Sequence, residues 1–270
     1  MIERLNKTRM KALKKLLLLC TLAITMTLTA QENVDSTVNQ ETEEAIDASK
    51  PTNFYSFLDN TLEYSNQKNQ NVFGYRGKLT LALSEAHLVL AEVPLLYNDR
   101  TDKFGLGDLR ARYFWLPYKN YDKVFGAFGP SIDIFAPTGS FDDGLGSGRW
   151  ILSPGVTVGI MAAEWIQFFP ILSYQYASKP VYDNPIPEAD KATHGLSFQV
   201  ITPIVFSEKF FIQLTPIFKM NNFEDERNDR FEQEVFASYS INPKMQITGF
   251  YSGKFEDENH TVSAGFTIFF

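Results

Sequence analysis

Three charged residues alternate along one short segment of the chain. In GDLRARYFW, Asp108, Arg110 and Arg112 stand two apart, with apolar residues between them. Residues two apart in an extended strand lie on the same face, so these charges are predicted to form a ladder. Such a ladder can set the selectivity of a polar pore, or it can form ion pairs that stabilise a closed interior. The sequence leaves both interpretations open.

Other polar residues are predicted to line the same interior. They lie in segments with the same alternation, where apolar residues occupy the opposite face. With Asp108, Arg110 and Arg112, the candidates are Asp133, Arg149, Gln167, Gln199, Gln213, Glu232 and Glu234, and Glu92, Lys219 and Gln175 could join them.

A glycine-rich segment, DDGLGSGRW, raises the question of phosphate or metal binding. A dinucleotide site needs a helix after its glycines, and a Walker loop needs Gly-Lys-Ser/Thr, but here Trp150 begins a strand. A hard cation such as Ca²⁺ needs roughly six or more oxygen ligands, more than two loop acids supply. We therefore predict a structural external loop, whose candidate residues are Asp142, Asp143, Gly144, Gly146 and Gly148.

The three histidines do not form a recognisable catalytic constellation. His260 and Ser263 are three apart, which places them on opposite faces of a strand. His194 follows an acidic loop, and a turn separates His87 from Ser84. We expect no enzyme activity, no metal site and no cofactor.

The element that carries these residues is clearest at the end of the chain. In HTVSAGFTIFF, apolar residues recur at every second position, with Phe269 as the exception. This period of two predicts a strand with one apolar and one polar face. A terminal strand that ends on an aromatic residue is similar to the assembly signal of bacterial outer-membrane barrels. Phe266, Ile268 and Phe270 are the residues of that predicted signal.

The same alternation predicts an all-β transmembrane, antiparallel, up-and-down barrel of about twelve strands. The strands are predicted near 54–65, 71–83, 86–96, 105–116, 124–136, 149–161, 164–177, 194–206, 209–220, 230–241, 244–254 and 260–270. Short turns alternate with longer polar loops, which predicts that the long loops are external. Aromatic residues near strand ends are predicted to face lipid: Tyr113, Trp115, Trp150, Tyr174, Tyr176, Tyr239 and Phe270. A soluble β-sandwich or barrel with the same periodicity is the alternative.

The N-terminus predicts export. Residues 1–30 combine a basic start, a short apolar run and a cleavage site after Ala30, as in a signal peptide. Residues 31–52 form an acidic leader without periodicity, predicted to be disordered, and residues 53–270 form the predicted barrel. Cleavage would remove the only cysteine and leave 19 basic and 31 acidic residues, a charge of −12. That charge argues against nucleic acid as a partner.

Three segments carry a resemblance to a known family. They are GLGDLRARYFW from Gly105, FAPTGS from Phe135 and DDGLGSGRWILSPGV from Asp142. In order and spacing they resemble the family called "MetA-pathway of phenol degradation", described as outer-membrane transporters. The resemblance runs from Gly105 onward and implies a link to the import of aromatic compounds. It brings no catalytic residue.

These observations favour a bacterial outer-membrane channel or transporter for the passive passage of small solutes, with aromatic or hydrophobic compounds as candidates. Its expected partners are outer-membrane lipid, the barrel assembly machinery and a small-molecule solute. The alternative is a closed structural or adhesive surface barrel whose acidic external loops bind cations. Replacement of Arg110 and Arg112 would alter conductance in the first case and mainly stability in the second.

Overall fold

The computed structural model describes residues 53–182, 190–224 and 229–270, so the predicted signal peptide and leader lie outside the described residues. The first half of the chain contains β1 (Phe57–Gln67), β2 (Gln70–Ser84), β3 (His87–Asn98), β4 (Lys103–Leu106), β5 (Leu109–Trp115), β6 (Tyr118–Lys119) and β7 (Phe125–Ala136). The second half contains β8 (Ile151–Ala163), β9 (Ile166–Ala177), β10 (Thr193–Ser207), β11 (Phe210–Met220), β12 (Asp229–Asn242), β13 (Met245–Lys254) and β14 (Asn259–Phe269). No helix in these ranges is long and apolar enough to cross a membrane.

The strands form one sheet that closes on itself. Sequential strands pair antiparallel from β7 to β14, β14 pairs with β1, and β1 pairs with β2. β2 pairs with β3, and β3 pairs with both β4 and β5, which together fill one position in the wall. β5 and the short β6 both pair with β7. The described residues thus form a closed antiparallel barrel with twelve wall positions, as the alternation predicted.

Side chains alternate between the interior and the exterior of the wall. In β13, Gln246 and Thr248 are buried inside, whereas Ile247 between them is 54% exposed outside. Register carries this pattern round the ring, because directly paired residues lie on the same face. Thr248, for example, pairs with the buried Ser238 of β12. A slip of one residue would place polar groups outside and apolar groups inside, so the pattern fixes the register.

The observed strand bounds lie within a few residues of the predicted ones, with one interruption. The predicted strand 105–116 breaks at Gly107 and Asp108, between β4 and β5. The Gly107 amide still donates a 2.9 Å hydrogen bond to the carbonyl of Pro94 on β3. The Asp108 carboxylate accepts backbone N–H groups of the loop after β7 instead of lying on the strand ladder.

The two ends of the barrel differ. At the short-turn end, β2–β3, β8–β9, β10–β11 and β12–β13 are joined by two-residue turns, and β5 continues through β6 into β7. At the long-loop end lie the longer connections β7–β8, β9–β10, β11–β12 and β13–β14, beside the short β1–β2 and β3–β4 turns. Short turns at one end and longer loops at the other are typical of outer-membrane barrels.

The seam between β1 and β14 closes the barrel. Ten residue pairs join the two strands, from Phe57 with Phe269 at the short-turn end to Asn66 with His260. A Cβ on Gly265 would lie 2.0 Å from the carbonyl oxygen of Asn60, so this close approach requires glycine. Inside the barrel, the Thr267 hydroxyl of β14 donates a hydrogen bond to Oδ1 of Asp59 on β1.

Candidate functional site

The interior faces of β1, β2, β3, β5 and β7 carry a continuous ion-pair network, which we call the charged wall. Its members are Asp59, Glu63, Arg76, Lys78, Glu92, Arg110, Arg112 and Asp133. They share one face because register pairs Lys78 with Glu92, Glu92 with Arg110, and Arg112 with Asp133.

Arg76 links the first half of this wall. Its Nε lies 2.7 Å from Oε2 of Glu63 on β1, and its Nη1 lies 2.5 Å from Oε1 of Glu92 on β3. One planar guanidinium therefore bridges carboxylates on both neighbouring strands, which its fork of donors allows. Beside it, the Lys78 ammonium pairs with the Asp59 carboxylate.

Arg110 and Arg112 share one carboxylate in the second half of the wall. The Nη2 of Arg110 lies 2.7 Å from Oδ2 of Asp133, and the Nε of Arg112 donates a 2.9 Å hydrogen bond to the same oxygen. The Nη1 of Arg110 is also 3.9 Å from Oε2 of Glu92. Glu92 thus joins the two halves, and the charges run without a break across four neighbouring pairs of strands.

The basic side chains of the charged wall are more exposed than their acidic partners. The carboxylates of Glu63, Glu92 and Asp133 are 8–11% exposed, whereas the three arginines bound to them are 20–32% exposed. Lys219 and Glu232 on the other side of the barrel show the same order, at 26% and 8%. In each of these pairs the acid is therefore the more buried partner.

Charges from opposite sides of the barrel interact. In the strand order, β5 and β12 are half a ring apart and face each other across the interior. Even so, the electrostatic partners of Glu234 on β12 include Arg110, Arg112 and Lys219. Glu234 therefore has basic groups both near it on β11 and across the interior on β5.

The remaining part of the interior is different. β8, β9 and β10 contain no Asp, Glu, Lys or Arg. Their interior faces carry mostly small or neutral residues, and we call this surface the small-residue wall. Its small members are Ser153, Gly155, Thr157, Gly159, Ser173, Gly195 and Ser197. Longer interior side chains of these strands, such as Phe169 and Ile171, are buried, so no charged group projects from this part of the interior.

Aromatic rings accompany the interior charges. The guanidinium carbon of Arg110 lies 5.0 Å from the ring centre of Phe135, and that of Arg112 lies 5.6 Å from the ring of Phe114. Nearer the short-turn end, the rings of Phe211 and Phe236 face the interior with their centres 5.8 Å apart. The cation–π contacts of Arg110 with Phe135 and of Arg112 with Phe114 hold the two guanidinium groups in defined positions.

Most of the predicted interior residues lie on the interior face. The register places there Arg110, Arg112, Asp133, Gln167, Gln199, Gln213, Glu232 and Glu234. The structure brings Arg110, Arg112 and Asp133 into direct contact, and Glu234 faces them. The three glutamines lie on β9, β10 and β11, outside the charged wall.

Two predicted interior residues lie elsewhere. Asp108 precedes β5 and binds the loop after β7, because the strand is interrupted at this point. Arg149 also precedes its strand, and its Nη1 donates hydrogen bonds to the carbonyls of Ser178 and Lys191 in the next long loop. Neither residue is part of the charge ladder.

Sequence reasoning missed the first half of the charged wall. Glu63, Arg76 and Lys78 were not among the predicted interior residues, although β2 shows the required alternation. Val72, Gly74, Arg76, Lys78 and Thr80 all lie on one face. The signal was present but weak, because glycines at positions 74 and 77 interrupt both faces of the pattern.

The histidines lie on the exterior, each beside a tyrosine. His87 Nδ1 is 2.6 Å from the hydroxyl of Tyr113, and His260 Nδ1 is 3.0 Å from that of Tyr251. His194 is hydrogen-bonded to Tyr174 in the same way. Ser263 pairs with Glu63 on the interior face, opposite His260. Among the described residues, no group of acids, histidines or cysteines could hold a metal ion.

The exterior is an apolar surface with aromatic residues at both ends. Its exposed side chains include Leu62, Leu172, Phe198, Ile247 and Val262 along the strands. Exposed aromatics near the strand ends are Trp115, Trp150, Trp165, Tyr174, Tyr239 and Phe270. An apolar band flanked by aromatic residues is how a barrel meets lipid and its two interfaces.

Comparison with solved structures finds the same fold in outer-membrane porins. The NanC porin covers 78% of this chain and 98% of its own, at 13% identity and a TM-score of 0.57. The KdgM porin in complex with disordered oligogalacturonate covers 78% and 99%, at 11% identity and 0.52. An outer membrane channel from Pseudomonas putida F1 covers 87% and 100%, at 13% identity and 0.58.

At these identities the likeness shows the fold, a closed twelve-stranded antiparallel barrel of the outer-membrane porin type. No family model matches the chain, and no curated protein matches it. Membership of the phenol-degradation family therefore stays a prediction from the three segments that resemble it.

Proposed function

We propose that this protein is an outer-membrane channel for the passive passage of small solutes. Three features support the proposal: the wall is closed, its exterior is apolar, and its interior carries charged and small polar side chains. The porin fold of the structural neighbours points the same way. The long loops would then face outward and the short turns inward, with outer-membrane lipid around the wall.

Export and assembly complete this proposal. The basic and apolar residues 1–30 support removal of a signal peptide during export. The outward-facing Phe266 and Ile268 on β14, followed by the exposed Phe270, support recognition by the barrel assembly machinery. These residues lie at the short-turn end, where that machinery would meet the chain.

The class of solute is inferred from the relative exposure of the basic and acidic groups inside the barrel. Arginines of the charged wall are 20–32% exposed inside the barrel, while the carboxylates that hold them are 8–11% exposed. A permeating solute would therefore meet positive groups first, and small anions are the preferred solutes. KdgM was solved with oligogalacturonate, a carboxylated saccharide, which agrees with this preference.

Aromatic solutes are the second candidate. The phenol-degradation resemblance implies them, and the interior rings of Phe114, Phe211 and Phe236 provide apolar surface, with Phe114 beside Arg112. An aromatic carboxylate would satisfy both the rings and the guanidinium groups. Uptake of benzoate, compared with acetate, into liposomes containing the protein would separate this candidate from a general preference for anions.

A closed barrel is the competing proposal, and the interaction of Glu234 with Arg110 and Arg112 across the interior favours it. Recordings from planar bilayers decide between them. We expect the wild-type protein to conduct with a preference for chloride over potassium. The Arg110→Gln/Arg112→Gln variant removes both guanidinium groups, keeps a polar side chain at each position and should lower that preference about threefold or more.

A control variant, Arg100→Ala/Lys123→Ala, removes the same charge from exposed turns and should leave the preference unchanged. A wild-type barrel that is folded and inserted but silent would overturn the channel proposal. Unchanged selectivity in the double glutamine variant, with only a lower melting temperature, would assign the charged wall a structural role.

A further inference from the structure

The loop between β7 and β8 folds back into the mouth of the barrel. Leu145 at its centre is only 5% exposed. A Cβ on Gly105, which pairs with the interior residue Leu96, would lie 3.0 Å from Cδ1 of Leu145. At Gly107, a Cβ would meet Leu96, Pro94 and the carbonyl oxygen of Leu145. Because Pro94 and Leu96 are interior residues of β3, Leu145 lies inside the wall.

A buried asparagine holds the middle of this loop. Asn98 on the interior face of β3 is fully buried, and its Nδ2 donates hydrogen bonds of 2.9 Å to the Asp143 carbonyl and to Oε1 of Gln70. The Thr101 hydroxyl donates to the same Asp143 carbonyl at 2.9 Å. Two donors on one backbone oxygen fix the loop at the interior edge of β3.

Asp108 holds both arms of the loop. Its Oδ1 accepts a hydrogen bond of 3.1 Å from the Gly139 amide, and its Oδ2 accepts one of 2.7 Å from the Ser147 amide. A charged acceptor makes these bonds stronger than neutral ones. A single carboxylate thus closes the segment 139–147 into a compact turn against the break between β4 and β5.

The loop has no room to relax outward without breaking these contacts. Gly144 has a φ of +68° and lies against Asn98, whose Nδ2 would be 2.4 Å from an added Cβ. At the far end, the Gly148 carbonyl accepts a bond from the Val181 amide. The rings of Phe141 and Tyr182 stack beside it with centres 3.8 Å apart.

We propose that residues 139–147 form a fixed constriction at the outer mouth, which limits the size of solutes before they reach the charged wall. Asp108 and Asn98 are its positioning residues. This inference rests on the proposed channel function, and it assigns size selection to the loop and charge selection to the arginines below.

Thiol labelling tests the position of the loop independently of conductance. Leu145→Cys is introduced in a Cys20→Ser background, because Cys20 is the only native cysteine. On intact cells, a membrane-impermeant maleimide should label Cys at this position slowly. Adding Asp108→Ala should release the loop and accelerate labelling about tenfold. Asp142→Ala, which removes an exposed acid of the same loop, should not accelerate it. Equal rates in all three proteins would overturn the anchored loop.

Size selection is then measured with neutral sugars, which do not respond to the charged wall. In liposome swelling, Asp108→Ala should raise the rate for the tetrasaccharide stachyose relative to arabinose about threefold, and single-channel conductance about twofold. Asp108→Asn keeps one acceptor and should restore part of the wild-type limit. An unchanged size limit despite fast labelling would overturn the constriction alone, whereas a silent wild-type barrel would overturn the channel function itself.

Discussion

The charged wall and the small-residue wall are built from the same kind of strand but differ in the side chains that face the interior. In both, every second residue faces the interior, and Asp133 on β7 pairs directly with Ser153 on β8, where one wall gives way to the other. On one side long side chains are held by each other through ion pairs, and on the other side many interior side chains are short and none is charged. The period of two therefore specifies the barrel, whereas the choice of interior residue specifies which chemical groups line it.

The first prediction tests the charged wall by removing Asp133, the acid that binds two arginines. Asp133→Ala leaves two arginines without their shared carboxylate, and we expect a loss of about 2–4 kcal/mol in the free energy of unfolding. The directly paired Ser153→Ala should cost less than about 1 kcal/mol. Urea unfolding in lipid vesicles measures both. Equal losses would show that the two walls contribute alike to stability.

The second prediction concerns a bulky side chain placed on the small-residue wall. Ser173 faces the interior of β9, and Ser173→Phe should lower single-channel conductance about twofold while leaving the ratio of chloride to potassium permeability unchanged. Leu172→Phe places the same ring on the exterior, where Leu172 is exposed, and serves as the control. Conductance that is unaffected by Ser173→Phe would mean that solutes follow another path.

The smallest expected effect concerns the acid that faces the charged wall. Glu234→Gln removes a negative group opposite Arg110 and Arg112, so chloride preference should rise by roughly one and a half times. Glu258→Gln removes an exposed loop acid paired with Lys68 and should change the preference little. A fall in chloride preference would contradict the exposed arginines as the selective groups.

The sequence alone predicts nearly all of the strands, because alternation and turn spacing are local properties and the two faces of the wall differ in polarity. It also predicts the inward direction of Arg110, Arg112 and Asp133. It does not predict that Asp108 leaves the strand or that Leu145 lies inside. Asp108 is held by amides 31 and 39 residues further along the chain, and the loop of Leu145 is held through Asp143 by Asn98 and Thr101, which are 45 and 42 residues away. Contacts over such separations carry no periodic signal in the sequence.

The partnership of Arg76 with Glu63 and Glu92 also needed the structure. Alternation can show that a side chain faces inward, but only the register between strands shows which carboxylate it meets. The same limit applies to Glu234, whose electrostatic partners stand on the opposite side of the ring.

The pairing of β1 with β14 determines when the barrel can close during synthesis. One of the two strands that pair with β1 is β14, the last strand. Across this pair, the Thr267 hydroxyl donates a hydrogen bond to Asp59, which lies 208 residues earlier in the chain. Until the last strand has been synthesised, β1 keeps an open edge that would pair with other chains. The barrel can therefore close only after β14 has been synthesised.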